Sequence, residues 1–207
     1  FCALGDDPAG HAAADQLRHR GVRLHVAWRP EPTRRAMALL QGGERTIVTL
    51  GERLEPWGSD ALSWAALRSA DGAYFTAGDA EALHHARAAR VLVASPRGRR
   101  VLADGPPVDA LVYSAGDHDE REWAERIAAR ARLMVETRGA RGGAWWGESE
   151  GCWEAAVAPG PPQDSYGCGD SFAAGFAFSL SAGGSVTEAA AFGACCGARV
   201  LTRAGAP

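Results

Sequence analysis

Short apolar runs alternate with alanine-rich stretches along this chain. Pro8 to Arg20 reads as a helix, ended by Gly21, which tolerates the left-handed backbone that helix termini favour. Three β-like runs follow, Val22–Trp28, Thr33–Leu40 and Arg45–Leu50, divided by Pro30-Glu31-Pro32 and by Gly42-Gly43. With no helix between them, they are expected to form a small β element apart from the main sheet. Ser59 is placed to cap a helix running through Ala70. The alternation then becomes regular: strand Ala73–Thr76, helix Asp79–Ala89, strand Val91–Ser95, strand Ala110–Tyr113, helix Asp119–Ala131, strand Leu133–Thr137. Strands this short and apolar, separated by helices, predict an α/β fold with a mostly parallel sheet covered by helices on both faces. Gly142 to Val157 predicts an antiparallel hairpin at the sheet edge, carrying Trp145, Trp146 and Trp153. Helices Asp170–Ala182 and Val186–Leu201 close the chain, and Phe1-Cys2-Ala3-Leu4 reads as the end of a buried strand.

Composition narrows the classes. The 207 residues suffice for one domain with a real core. The net charge of −3 gives no basic footprint for nucleic acid. All 22 basic residues are arginine, so a P-loop lysine, a kinase strand lysine and a Schiff-base nucleophile are all excluded. The five cysteines form no Cys-x-x-Cys pair and the six histidines show no ligand spacing, which speaks against a structural metal and for reduced thiols in a cytoplasmic protein. The longest small or apolar run, Ala189 to Ala198, falls well short of the roughly 20 residues of a spanning helix, and no leader pattern is legible.

The most informative segment is Asp164-Ser165-Tyr166-Gly167-Cys168-Gly169-Asp170-Ser171-Phe172-Ala173-Ala174-Gly175-Phe176. It is a glycine-flanked tripeptide opening into a helix whose Phe172, Phe176 and Leu180 share one face. A helix start leaves N–H groups without partners and carries the positive end of the dipole, and Gly167 and Gly169 let an anion approach closely. Asp170 fits a capping acid; it also stands where a general base must sit to take a proton from a hydroxyl attacking that anion. The dinucleotide fingerprint Gly-x-Gly-x-x-Gly is ruled out, because its third glycine would fall on Phe172. That leaves a Rossmann-type oxidoreductase motivated by the alternation alone.

This segment resembles the C-terminal motif of the PfkB, or ribokinase-like, carbohydrate kinases, D-T-x-G-A-G-D-x-F-x-A-G-F. Ala3-Leu4-Gly5-Asp6-Asp7-Pro8-Ala9-Gly10 is similar to the family's early G-x-D-x-x-G stretch. Pro32-Thr33 and Gly43-Glu44-Arg45-Thr46 resemble its lid strands. Glu136-Thr137-Arg138-Gly139-Ala140-Arg141-Gly142-Gly143 resembles its T-x-G-x-x-G nucleotide segment, and Gly197-Ala198 with Gly205-Ala206 its last helix and tail. The resemblance implies a single ribokinase-like domain over residues 1–207, with residues 22–50 in a β lid. It implies an ATP-dependent kinase acting on a small sugar: Gly167, Cys168 and Gly169 present N–H groups to the transferring phosphoryl and Asp170 deprotonates the acceptor hydroxyl. Thr137, Gly139 and Gly142 would line the nucleotide, and Asp164 with Ser165 would sit where some members hold K⁺. The lid edge, with Trp28, Ala36, Ala38 and Leu40, is expected to pair in a homodimer.

Two departures stand out. Where the family has N-x-x-E to organise Mg²⁺, this chain has Ser114-Ala115-Gly116-Asp117, and it contains no asparagine at all. Asp117 is then the expected oxygen donor, one methylene shorter than glutamate, or else a cap for the helix beginning near Asp119. Family members also carry a first strand and a sugar-gripping Gly-Gly segment ahead of the stretch with which this chain opens, so an N-terminally incomplete member is expected. These departures motivate two other readings: a nucleotide-binding protein without phosphotransfer, and an adenosine-type nucleoside kinase.

Overall fold

The computed structural model describes residues 1–41 and 44–203, and it divides the chain into two compact units, Phe1–Trp64 and Ala65–Pro207. Gly42, Gly43, Gly205 and Ala206 lie outside the described residues.

In the first unit, β1 (Cys2–Gly5) leads through α1 (Pro8–His19) into β2 (Val26–Arg29), which pairs parallel to β1 with Ala3 opposite Ala27. Asp7 starts α1: its side chain accepts the Gly10 N–H at 2.7 Å, the Thr33 N–H at 2.9 Å and the Thr33 hydroxyl at 2.8 Å. β3 (Arg35–Gln41) and β4 (Glu44–Leu50) form an antiparallel pair with Met37 opposite Val48. The three early runs therefore do not make one element, contrary to expectation. β2 joins β1, while Pro30 and Pro32, which have no N–H to donate, separate it from the β3–β4 pair. β2 also begins at Val26 rather than Val22, because the Val22 N–H turns back to the Leu17 carbonyl at 3.1 Å to close α1, with Gly21 left-handed at φ 81°.

The helix expected from Ser59 to Ala70 is absent, and only a 3₁₀ stretch over Trp64–Ser69 forms. The Asp60 carbonyl, which an α-helix would offer to the Trp64 backbone N–H, instead accepts the Leu62 N–H at 2.6 Å and the Trp64 indole N–H at 3.1 Å.

The second unit is a six-stranded sheet in the order β10-β9-β8-β7-β6-β5. β5 (Gly72–Phe75), β6 (Val91–Ala94), β7 (Val108–Ser114) and β8 (Ala131–Thr137) run parallel. β9 (Gly143–Gly147) and β10 (Gly151–Trp153) add the antiparallel hairpin at the edge. The crossovers are α2 (Ala80–Ala86), α3 (Arg99–Asp104) and α4 (His118–Ile127), of which α3 was not anticipated. They bury Leu83, Leu102 and Ile127. Strand alternation turns Val93, Val112 and Val135 toward α5 (Cys168–Ser181) and α6 (Val186–Val200), where they pack with Phe172 and Phe176. A row of stacked rings, Trp145, Trp153, Phe172 and Phe176, with centroids 6.1, 5.1 and 6.1 Å apart, fastens α5 to the hairpin. The two helices touch through glycines. A β-carbon at Gly193 would lie 2.8 Å from the Phe172 carbonyl oxygen, and one at Gly197 3.0 Å from that of Cys168. Among the described residues no helix is long and apolar enough to cross a membrane.

Candidate active site

The predicted residues of the second unit gather at the carboxyl ends of the parallel strands and at the start of α5. α5 opens on Gly167, left-handed at φ 80° and ψ −1°. Any other residue would strain there. The first bond of the helical ladder runs from the Ser171 N–H to the Gly167 carbonyl at 2.8 Å, so the Gly169 and Asp170 N–H groups precede it. A β-carbon added at Gly169 would meet nothing within 4 Å, so the space beside Gly169 is open. The Cys168 N–H is turned back to the Ser165 carbonyl at 3.3 Å. Asp164 accepts the Tyr166 N–H at 2.9 Å, and the Gln163 N–H bonds the Leu201 carbonyl at 2.8 Å, tying the approach to α5 onto the end of α6.

Ser114 and Thr137 are register partners at the ends of β7 and β8, and the Thr137 hydroxyl donates to the Tyr113 carbonyl at 3.2 Å. Gly139 and Gly142 bracket a 3₁₀ turn that leads into β9. A β-carbon at Gly142, where φ is 72°, would come within 1.9 Å of the Trp153 carbonyl oxygen. Asp117 is the N-cap of α4 and accepts the Glu120 N–H at 3.0 Å.

Two residues that sequence reasoning passed over connect these points. Arg97, in a 3₁₀ turn after β6, donates from Nη1 to Asp170 Oδ1 at 3.1 Å and from Nε to Glu120 Oε1 at 2.8 Å. Glu120 Oε2 accepts the Ser114 N–H at 3.0 Å. Glu120 and Arg97 thus link Asp117 to Asp170. Burial pulls the Arg97 guanidinium down, but Asp170 and Glu120 together hold it above its ordinary value. Beside them burial, and next the Asp170 charge, push the Tyr74 phenol up to about 12. No local pattern marks Arg97; it pairs with Asp170 across 73 positions of sequence. Among the described residues no group of three or more His, Cys, Asp or Glu side chains converges to hold a metal ion.

The mostly parallel sheet flanked by helices is an α/β fold similar to that of ribokinase from Thermotoga maritima, which aligns at a TM-score of 0.73 and 17% identity, covering 99% of this chain and 74% of that one. Adenosine kinase from Sinorhizobium meliloti aligns with this chain at a TM-score of 0.76 and 21% identity, covering 99% of it and 72% of the kinase. Fructokinase with bound ATP from Xylella fastidiosa aligns at 0.76 and 18% identity, covering 100% and 79%. At that identity the likeness is one of fold. In sequence, residues 109–207 match the family described as pfkB family carbohydrate kinase. A stretch of 84 residues is 46% identical to the acarbose 7(IV)-phosphotransferase of an Actinoplanes species, amounting to 37% of this chain and 28% of that protein's length.

Proposed function

We propose that the protein is an ATP-dependent carbohydrate kinase that transfers the γ-phosphoryl group to a sugar hydroxyl. The observation that carries this reading is the Asp170 carboxylate in the first turn of α5, where the Gly169 and Asp170 N–H groups precede the helical ladder and the space beside Gly169 is open. Phosphoryl transfer asks mainly for positioning and charge stabilisation, which backbone N–H groups at a helix start supply without a P-loop lysine. Asp170 takes the proton of the acceptor hydroxyl as its oxygen bonds the γ-phosphorus; the bond from that phosphorus to the bridging oxygen breaks and ADP departs with the electron pair.

Thr137, Gly139 and Gly142, at and beyond the end of β8, are the residues proposed to line the nucleotide. Mg²⁺ is ordinarily held by one or two carboxylates together with nucleotide phosphates, so no protein cage is needed. Asp117 fits that part: Oδ1 takes the Glu120 N–H, and a carboxylate has a second oxygen to offer. When bound, Mg²⁺ would neutralise phosphate charge, and Asp164 with Ser165 is the place proposed for K⁺.

ADP release measured with pentoses, hexoses, nucleosides and acarbose tests the reading. Asp170→Asn is expected to lower kcat by at least about 10²-fold, with ATP affinity near wild type. Stability should barely move, because asparagine caps helices about as well as aspartate. An Asn variant that turns over at the wild-type rate would show that Asp170 is only a cap. The Ser114/Asp117 departure favours a second reading, a nucleotide-binding protein without transfer. Calorimetric ATP binding without ADP release on any acceptor would support it, and release on nucleosides alone would make the enzyme a nucleoside kinase.

A further inference from the structure

We infer that Arg97 is a positioning residue for Asp170 and that Glu120 holds Arg97 in place. This rests on the reading of Asp170 as the base. Asp170 lies on the exposed first turn of α5 with 59% of its side chain accessible, and among the described residues Arg97 is the side chain that donates to it. Left alone, a carboxylate there rotates among several rotamers. A proton acceptor has to hold one.

The support behind Arg97 is built from three directions. Its backbone is fixed by the Ser95 hydroxyl, which accepts the Arg97 N–H at 3.3 Å, and by Pro96, and Ser95 is itself buried. Its guanidinium is gripped at Nε by Glu120, and the Glu120 side chain is only 12% accessible. Glu120 is pinned in turn by the Ser114 N–H on its other oxygen and by its place in the first turn of α4. Both Glu120 oxygens are therefore engaged. The rigid fork of arginine then presents Nη1 to Asp170 Oδ1. With Oδ1 engaged, Oδ2 is the oxygen left to take the acceptor proton. An exposed ion pair of this kind contributes little stability, so its effect reads out in turnover rather than in folding.

The test is a mutant cycle in the intact chain, using the acceptor that gives the fastest ADP release. Arg97→Gln is expected to lower kcat by about 10- to 100-fold, with KM for ATP and acceptor within about twofold and Tm unchanged. Arg97→Lys should recover part of the loss, since a single ammonium reaches Asp170 but cannot span both carboxylates. Glu120→Gln should lower kcat in the same direction by a smaller factor. In the Asp170→Asn background, Arg97→Gln should slow the enzyme no further, because the residue it positions is gone. Independently of turnover, NMR should show a slowly exchanging Arg97 Nε–H in wild type and in Asp170→Asn that is lost in Glu120→Gln.

Wild-type kcat in Arg97→Gln overturns the inference. So does a tenfold rise in the ATP KM with kcat intact, which would make Arg97 a substrate ligand, and so does a loss that multiplies with that of Asp170→Asn. An Arg97 Nε–H that exchanges freely in wild type also overturns it. Should Arg97→Gln fail to fold, Arg97→Lys and Glu120→Gln carry the same kcat test. Near wild-type turnover in Asp170→Asn would instead remove the base assignment itself, whatever Arg97 does.

Discussion

Replacing Asp117 by alanine removes the side chain that accepts the Glu120 N–H at 3.0 Å at the start of α4. Loss of such a cap typically costs about 1 kcal/mol, within a range of roughly 0.5–2. The helix dipole adds little to that figure, because Asp119 and Glu120 keep negative charge in the first turn. A chain of this size loses about 2–4 °C in Tm per kcal/mol, and that is the expected shift for Asp117→Ala. Asp117→Asn keeps the accepting oxygen and should match wild type. Thermal unfolding followed by circular dichroism reads both variants, with Asp79→Ala, which uncaps α2 by removing the acceptor of the Ala82 N–H at 2.8 Å, as a size control. The same proteins report on Mg²⁺. If the Asp117 carboxylate organises the ion, alanine and asparagine alike raise the Mg²⁺ needed for half-maximal rate, although only alanine melts early. An alanine variant as stable as wild type would refute the capping argument. An unchanged Mg²⁺ requirement in both would remove Asp117 from the metal site.

Two further outcomes follow from the packing and the charges. Phe176, fully buried and stacked on Phe172, is expected to cost about 3–5 kcal/mol as alanine, read as a fall in the denaturant midpoint; a cost under about 1 would mean that α5 is not anchored through this face. The Gly10 N–H, then the Thr33 N–H and hydroxyl, hold the Asp7 carboxyl at about 2 against its usual 3.8. A pKa depressed by folding gives stability that is present above about pH 3.8 and is lost as pH falls through about 2. Denaturant unfolding between those values should therefore be steeper in pH for wild type than for Asp7→Asn, and parallel curves would refute the assignment.

What the sequence made legible was local. The β5–β8 alternation, the Trp-bearing hairpin and the glycine-flanked start of α5 each depend on neighbours a few positions apart, so periodicity and turn chemistry reach them. The failures came where a distant or side-chain partner decided the outcome. Residues 59–63 lost their helix to the indole N–H of Trp64, and β2 left its sequence neighbours for β1 beyond α1. In the site, Gly167 and Asp170 announce themselves in one motif, but the Arg97–Glu120–Ser114 support draws on the turn after β6, the end of β7 and the first turn of α4. It exists only once the sheet has brought those places side by side.

The glycine seam between α5 and α6 bears on how this site can drift over generations. With Gly193 and Gly197 set against the Phe172 and Cys168 carbonyls, the second helix backs the turn that carries Asp170 as a brace backs a beam. A methyl group at Gly193 would push on a backbone carbonyl, which cannot swing aside as a side-chain tip can, and so would shift the whole opening of α5. Selection on chemistry at one helix start is thereby written into the composition of a different helix. Substitutions should accumulate on the outer face of α6, where Phe192 is exposed, while the inner seam stays closed to anything larger than hydrogen.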